Sequence, residues 1–329
     1  AADGTIGNAL HLSEEQLLAN VQQVQLTNLR NAQGEPDPSQ VSPKLLGDEV
    51  QELHDGVAST RLVPHLSLEM ETGTGKTYTF IKTMYELNKQ YGWSKFIIVV
   101  PSVPIREGVL ASIDLMKEHF TAIYNQPFSR VVYDSKALGQ VRQFATSNAI
   151  QIMIMNIQSF QKDVKDDSEI ASLTAEQLKK LNVINRETDQ LSGRKPIEFV
   201  QATRPIVIVD EPQNMEAEAS RRAIERLHPL CTLRYSATHK NPYNLLYKLD
   251  PIQAYDLRLV KRIEVASVRA EANLNAAFVE LVAVDNKKAL RAQLKLNVAN
   301  GASAKQKTVW VKKGDDLAVV SKGRQEYQD

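Results

Sequence analysis

A glycine-rich segment with one lysine and one threonine is the first candidate for chemistry in this chain of 329 residues. The segment covers residues 69–77 and reads Glu-Met-Glu-Thr-Gly-Thr-Gly-Lys-Thr. Glycines permit a tight turn whose N–H groups point into one concavity and hold phosphate oxygens. A lysine can then reach the β- and γ-phosphates, and a threonine hydroxyl can bind Mg²⁺. We therefore predict that ATP and Mg²⁺ bind here, with Thr72, Gly73, Thr74, Gly75, Lys76 and Thr77 as the binding residues and Thr77 as a metal ligand.

The flanking residues support this prediction. Apolar side chains alternate over 66–70, which is typical of a strand, and recur at helical spacing over 80–87, so the N-terminus of a helix would face the phosphates. The general pattern G-x-x-x-x-G-K-[ST] has its first glycine at position 70, where this chain has Met70. The Gly-x-Gly-Lys-Thr core of the motif is intact.

Two adjacent carboxylates follow a fully apolar run at 206–209. Hydrolysis of a nucleotide requires a group that holds the metal and a group that orients or deprotonates the attacking water. We assign Asp210 to the metal and Glu211 to the water.

A third motif, Ser236-Ala237-Thr238, follows the apolar run at 231–235. Its small hydroxyl residues could link a hydrolytic site to a nucleic-acid groove. The tripeptide is informative because it comes third in chain order, after the glycine-rich segment and the carboxylate pair.

The apolar runs predict the fold class. They occur at 96–100, 131–132, 150–155, 206–209 and 231–235, and helical patterns separate most of them. Fully apolar strands that alternate with helices indicate an α/β fold, a mostly parallel sheet with helices on both faces. Ligands of such sheets bind beyond the carboxyl ends of the strands, where these motifs lie.

The pattern changes along the chain and suggests boundaries. Residues 1–63 are predicted to be a helical N-terminal segment, with a capping box that starts at Ser13, and 64–260 an ATP-binding lobe. The charged stretch 161–204 is interpreted as a surface insertion. Alternating residues over 261–329, which include Ile263 and Val265, predict a small antiparallel β unit, itself incomplete.

Composition limits the possible functions. With 40 Lys and Arg against 39 Asp and Glu, the net charge of +1 provides no global attraction to nucleic acid, so DNA binding would need a local groove. No apolar run is long enough for a membrane span, and the histidines lack metal-ligand spacing with Cys or acidic residues. Cys231 is the only cysteine, which fits a reducing, cytoplasmic compartment and an inert core thiol.

The three motifs together resemble motifs I, II and III of superfamily 2 helicases. Three stretches of the chain are similar to the versions of these motifs in the Res subunit of type III restriction enzymes. They are residues 70–77, residues 210–213 and Val-Pro-Ser-Val-Pro-Ile-Arg-Glu-Gly-Val at 100–109. The resemblance covers roughly 64–262 and implies that this region is the first RecA-like lobe of a motor.

The resemblance also implies functions for further residues. Gln213 would sense the nucleotide state, Ser236 and Thr238 would couple the lobes, and Ser102, Arg106 and Asn156 would contact nucleic acid. The family moves along double-stranded DNA at the expense of ATP. The full subunit cleaves DNA with Mg²⁺ and requires a methyltransferase (Mod) partner.

Two departures and several alternatives accompany this interpretation. The sequence shows no second lobe with an arginine finger and no Pro-Asp…Asp/Glu-x-Lys nuclease core, so we expect an N-terminal fragment of a longer motor.

An RNA helicase is the nearest alternative. A small-molecule kinase would also carry a phosphate loop, but it would need an acceptor pocket and a lid. A non-catalytic, nucleotide-gated module is the remaining alternative, and Glu211 argues against it.

Overall fold

The computed structural model describes residues 4–31, 34–54, 57–161, 173–178, 181–261, 277–285, 290–301 and 303–328. The chain divides into two compact units, Ala1–Arg262 and Ile263–Asp329. The described helices are α1 (Glu14–Asn28), α2 (Lys76–Tyr91), α3 (Val103–Tyr124), α4 (Gly139–Thr146), α5 (Gln158–Gln161), α6 (Ala175–Leu178), α7 (Pro196–Ala202), α8 (Glu218–Glu225), α9 (Pro251–Asp256) and α10 (Leu317–Val320). The strands are β1 (Gly47–His54), β2 (Val57–Met70), β3 (Lys95–Val100), β4 (Phe128–Val132), β5 (Ile150–Asn156), β6 (Ile206–Asp210), β7 (Cys231–Ser236), β8 (Leu245–Leu249), β9 (Val279–Asp285), β10 (Arg291–Asn300) and β11 (Ser303–Lys312).

The first unit is built on one large sheet. Among the described residues this sheet has eight strands in the order β1-β2-β7-β6-β3-β5-β4, and β8 also pairs with β2. The β1–β2 pair is antiparallel, whereas all the other pairs are parallel. The carboxyl ends of the parallel strands therefore lie at one edge of the sheet. The predicted fold class, a mostly parallel α/β sheet, is confirmed.

Helices cover both faces of this sheet, because the strands are apolar on both sides. Alternate residues of β3 belong to different cores. Ile97 and Val99 pack with residues of α4, α7 and α8, whereas Phe96, Ile98 and Val100 pack with residues of α2 and α3. Each core is therefore anchored to the same central strand.

The sequence predicted that segment 1–63 is helical, but only part of it forms an α-helix. Helix α1 begins with the expected capping box of Ser13 and Gln16, but it ends at Asn28. Strand β1 and the first half of β2 then pair from Gly47↔Pro64 to His54↔Val57. The alternating, β-branched residues of β2 favour this extended hairpin over a helix.

The stretch 161–204 is not simply a surface insertion. Its described C-terminal part, which includes α7, buries Ile197, Phe199 and Val200 in the core that also contains Val207 of β6. The apolar residues are too scattered to give a clear helical or strand period, but short helices bring them onto the sheet.

The described residues of the second unit form an antiparallel sheet in the order β11-β10-β9. A turn at Asn300-Gly301 joins β10 to β11, and Gly301 has a φ of +63°. Ile263 and Val265, which the sequence assigned to this β unit, lie outside the described residues.

A fully buried lysine stands at the start of the central strand. Lys95 has 0% exposure, and its Nζ donates to the carbonyl oxygens of Phe144 at 2.6 Å and Ser147 at 2.5 Å. Both carbonyls belong to the C-terminal end of α4, where a cation is favoured. Burial lowers the pKa of Lys95 to about 8.

This burial predicts a pH-dependent stability. Below pH 8 the lysine is protonated in both states, and the protein bears the full cost of burying the charge. Between about 8 and the ordinary pKa of 10.5 only the unfolded chain keeps the proton, so the free energy of unfolding should rise with pH by up to about 3 kcal/mol. Lys95→Met should lack this rise in urea unfolding measured from pH 7.5 to 10.

The exposed Lys89 of α2 offers a matched control, because Lys89→Met should follow the wild-type pH profile. Parallel profiles for wild type and Lys95→Met would contradict the prediction.

Candidate active site

The glycine-rich segment forms a loop between β2 and α2. Gly73 and Gly75 adopt left-handed conformations with φ of +83° and +93°, and Gly75 is the N-cap of α2. A Cβ at Gly73 would meet nothing within 4 Å, and one at Gly75 would meet only Cβ of Tyr78 at 3.9 Å. Glycine is therefore favoured at both positions by the left-handed backbone conformation. It is not required by crowding, because a Cβ atom would fit in either place. Thr74 closes the turn, since its N–H and hydroxyl donate to the Glu71 carbonyl at 3.2 and 2.6 Å.

The loop has the features of a phosphate site. The first-turn N–H groups of α2 have no acceptor within the helix, and the helix N-terminus carries partial positive charge. Lys76 is the first residue of α2 and Thr77 the second, and both are partly buried. Thr72 lies at the exposed start of the loop.

The acidic pair meets this loop although 135 residues separate them. Nζ of Lys76 donates to Oε1 of Glu211 at 2.6 Å. Glu211 has a φ of +54°, a left-handed conformation that is unfavourable for a residue with a Cβ. Its N–H donates to the carbonyl of Tyr235 at 3.0 Å, which fixes the bend to β7. The strained bend sets the direction of this carboxylate.

Opposite electrostatic effects act on the two carboxylates. Burial, reinforced by the neighbouring Glu211 charge, raises the pKa of Asp210 to about 6 even though Lys76 opposes the shift. Burial also raises the pKa of Glu211, but hydrogen bonds from Lys76 and Gln213 and the Lys76 charge outweigh it, so the pKa is lowered. Asp210 is only 7% exposed, and it would gain from a nearby cation.

Gln213 and Ser236 continue the hydrogen-bonded cluster. Nε2 of Gln213 donates to Oε2 of Glu211 at 2.7 Å. The fully buried Ser236 hydroxyl lies 2.8 Å from Oε1 of Gln213 and 2.7 Å from the Thr238 carbonyl, and it accepts the Thr238 N–H at 3.1 Å. The structure thus brings the end of β7 into contact with the acidic pair through one amide side chain.

The predicted nucleic-acid residues lie at the same sheet edge, after β3 and β5. Ser102 is the N-cap of α3, but its side chain makes no capping hydrogen bond. Arg106, in the first turn of α3, pairs with Glu107 at 2.7 Å. Asn156 ends β5 opposite Val100, and its buried Oδ1 has no hydrogen-bond partner among the described residues.

Sequence reasoning missed Glu69 and His239 as members of this site. The His239 N–H donates to Oε1 of Glu69 at 3.1 Å, and the imidazole Nε2 lies 3.3 Å from the Leu68 carbonyl oxygen. Burial lowers the pKa of His239, so the ring is neutral at pH 7. Their places directly beside the glycine-rich loop and the Ser-Ala-Thr motif were the available signal.

A magnesium ion fits these residues better than a metal held by protein alone. No group of three or more His, Cys, Asp or Glu with metal-binding geometry occurs in the part of the chain that the structure describes. Mg²⁺ commonly takes one or two protein ligands, with phosphate oxygens and water completing its coordination. Asp210 and the Thr77 hydroxyl would suffice for that arrangement. Within the described ranges, no helix is long and apolar enough to cross a membrane.

The α/β fold, the glycine-rich loop at a helix N-terminus and the carboxylate bonded to its lysine are typical of a P-loop nucleotide-binding lobe. Residues 18–241 match the family model "Type III restriction enzyme, res subunit". The chain belongs to this family of Res subunits.

Two curated relatives have 31% identity to the chain over 208 residues. They are the Res subunits of the type III restriction-modification enzymes EcoP15I of Escherichia coli and EcoPI of Escherichia phage P1. Each alignment covers 60% of this chain and 21% of the relative, so the chain spans about a fifth of their length.

Solved structures provide more distant likenesses. A nuclease-deletion mutant of the Type ISP restriction-modification enzyme LlaGI, in complex with a DNA substrate mimic, is similar with a TM-score of 0.37 and 15% identity, over 59% of this chain and 18% of that one. The SWI2/SNF2 ATPase core of Sulfolobus solfataricus in complex with dsDNA is similar with a TM-score of 0.32 and 11% identity, over 53% of this chain and 27% of that one.

The raised pKa of Asp210 predicts that this residue costs stability. The folded protein holds the proton up to about pH 6, whereas the unfolded chain loses it near 3.8. Binding of this proton therefore contributes fully to the free energy of unfolding below pH 3.8, and the contribution is lost as the pH rises through about 6. At pH 8 the ionised carboxylate lowers the free energy of unfolding by about 2–3 kcal/mol. Asp210→Asn should raise the free energy of unfolding at pH 8 in EDTA, and the gain should shrink towards pH 4.

Urea unfolding of both proteins at pH 4, 6 and 8 tests this expectation. A gain that stays constant across this range would show that the burial of charge is not its cause.

Proposed function

We propose that the chain is the ATP-binding motor lobe of an ATP-dependent DNA translocase, the restriction subunit of a type III system. The observation that carries the proposal is the 2.6 Å contact between Lys76 and Glu211 at the carboxyl edge of the sheet. The contact supports the proposal because a lysine that binds the γ-phosphate and a carboxylate that activates water would have to lie this close together. Family membership supports the choice of system.

In this proposal the loop residues 72–77 hold the triphosphate of ATP. Thr77 and Asp210 hold Mg²⁺, which neutralises charge on the phosphate oxygens when bound. Glu211 orients the attacking water and accepts its proton. The lowered pKa of Glu211 favours that role, because the carboxylate is then ionised at neutral pH.

Gln213, Ser236 and Thr238 would connect hydrolysis to movement. Gln213 contacts Glu211 on one side and Ser236 on the other, so a change at the γ-phosphate can alter the segment after β7. This hydrogen-bonded route supports the assignment of Gln213 as the sensor of nucleotide state and of the two hydroxyl residues as coupling groups.

Double-stranded DNA is the proposed track, and a methyltransferase (Mod) subunit is the proposed partner of the complete enzyme. Ser102, at the start of α3, and Arg106, in its first turn, offer a hydroxyl and a guanidinium, both common phosphate partners. Asn156 offers an amide from the neighbouring strand β5. In the complete enzyme, Mg²⁺-dependent cleavage of DNA would follow from movement along the track.

Two substitutions should separate binding from hydrolysis. Lys76→Ala should weaken nucleotide binding and reduce ATP hydrolysis in the intact enzyme by at least about 100-fold, since a charged phosphate ligand is lost. Glu211→Gln should keep nucleotide affinity and lose turnover by about 10²–10⁴-fold, because only the water-activating group changes. ATPase rates and nucleotide titrations measure both effects. Undiminished hydrolysis in Lys76→Ala, or equal loss of binding in the two variants, would refute the assignment.

Arg106→Ala should weaken DNA binding to a similar degree on unrelated duplexes and flatten its salt dependence, because a phosphate contact carries no base information. Affinities at several salt concentrations, with duplex RNA as a comparison, test this. A loss that is confined to one DNA sequence would contradict the role, and preferential stimulation of the ATPase by RNA would favour an RNA helicase.

Residues 1–329 by themselves should hydrolyse ATP near the background rate and cut no DNA. In related motors an arginine finger contributes about 10³–10⁵ in turnover, and the sequence motifs found here include none. A steady-state assay with and without DNA and the methyltransferase measures this directly. Strong DNA-stimulated turnover would mean that the chain, or a second copy of it, supplies the finger.

A further inference from the structure

A connection between β2 and the segment after β7 lies beside the residues assigned above. Glu69, the next-to-last residue of β2, has Ser236 of β7 as a register partner, and its Oε1 accepts the His239 N–H at 3.1 Å. Nε2 of His239 lies 3.3 Å from the Leu68 carbonyl oxygen. Because a carbonyl only accepts hydrogen bonds, Nε2 carries the hydrogen. Residue 239 is therefore bonded to β2 through both its backbone and its side chain.

These two bonds hold an otherwise exposed segment. Thr238 and Lys240, on either side of His239, are exposed, whereas His239 and Glu69 are partly buried. A carboxylate that accepts a backbone N–H in a partly buried setting makes a charge-assisted bond, stronger than a neutral one. The bonds of His239 thus fix the path of the chain directly after the Ser-Ala-Thr motif.

The connection closes a ring of contacts around the site. β2 leads directly into the phosphate loop, so Glu69 is joined to Lys76 along the chain. On the other side, the segment that His239 anchors includes the Ser236 hydroxyl, which contacts Gln213. The ring passes through Glu69, His239, Thr238, Ser236, Gln213, Glu211 and Lys76.

We propose that Glu69 and His239 are positioning residues for hydrolysis. They hold segment 236–239 against the strand that carries the phosphate loop, so that Gln213 keeps the Glu211 carboxylate directed at its water. The inference rests on the proposed ATP hydrolysis. Both residues act through Ser236 and Gln213, and therefore they should govern turnover of bound nucleotide and leave its affinity unchanged.

Substitutions that remove or keep the acceptor test this role in the intact enzyme. Glu69→Met removes the acceptor at similar size, whereas Glu69→Gln keeps an oxygen there. His239→Leu removes the imidazole donor. Glu69→Met and His239→Leu should each lower kcat about 10–100-fold, as a small misplacement of a catalytic group does, with nucleotide affinity within about threefold of wild type. Glu69→Gln should restore most of the rate.

Two comparisons make the test specific. Glu218→Met makes the same substitution as Glu69→Met at an exposed carboxylate of α8 that pairs with Arg222, and it should leave kcat at the wild-type value. The double variant Glu69→Met/His239→Leu should be about as slow as the slower single variant, since both substitutions release the same segment. His239 is only partly buried and lies between two exposed residues, so His239→Leu keeps the test possible if Glu69→Met does not fold.

The inference is overturned by wild-type kcat in Glu69→Met and His239→Leu, by a parallel loss of affinity and kcat, or by a Glu69→Gln variant as slow as Glu69→Met. Lys76→Ala in the same assay distinguishes this failure from that of the proposed function. Hydrolysis that persists in Lys76→Ala refutes the ATP site itself. Hydrolysis that Lys76→Ala abolishes and Glu69→Met retains refutes only the positioning role.

Discussion

Parallel strand pairing is the constraint on which the site depends. Hydrogen bonding fixes Glu69 opposite Ser236 and Asp210 opposite Tyr235, so the ends of β2, β6 and β7 come together at one edge. Strand β6 is apolar up to Asp210, whereas β2 and β7 also bury polar residues before that edge, among them Ser67 and Arg234. A slip of one residue in any pair would turn its side chains to the other face of the sheet and move these polar groups. The candidate site therefore lies at the carboxyl ends of these strands.

Two features of the site lower the stability of the folded protein. Asp210 is held in a buried place that raises its pKa to about 6, and Glu211 is held at a positive φ. Neither feature helps the chain to fold, because an ionised buried carboxylate and a strained backbone both cost free energy. The two cores on either side of the sheet supply the rigidity that keeps them in place. A cation beside Asp210 would offset part of this cost. The raised pKa of Asp210 therefore supports the proposed metal site.

The sequence was informative where a motif followed an apolar run, and much less so elsewhere. The phosphate loop and the acidic pair were predictable because each comes directly after a buried strand. The β1–β2 hairpin was missed because the charged residues of β1 obscure its alternation, and β8 was missed because it is short and mostly only partly buried. The contact of Glu69 with His239 spans 170 residues, and it depends on strand register that no local pattern encodes. The domain boundaries and the functions of the individual site residues remain predictions.

The Ser236 hydroxyl has one hydrogen and two acceptors within reach, the Gln213 side chain and the Thr238 carbonyl. It can satisfy only one of them at a time. With the hydrogen towards Gln213, the end of β7 is joined to the acidic pair; with the hydrogen towards Thr238, the segment is joined to itself and the link is released. Rotation about the Cβ–Oγ bond exchanges these two hydrogen bonds without movement of any heavy atom. An alanine at this position would remove both of these hydrogen bonds and also the acceptor of the Thr238 N–H.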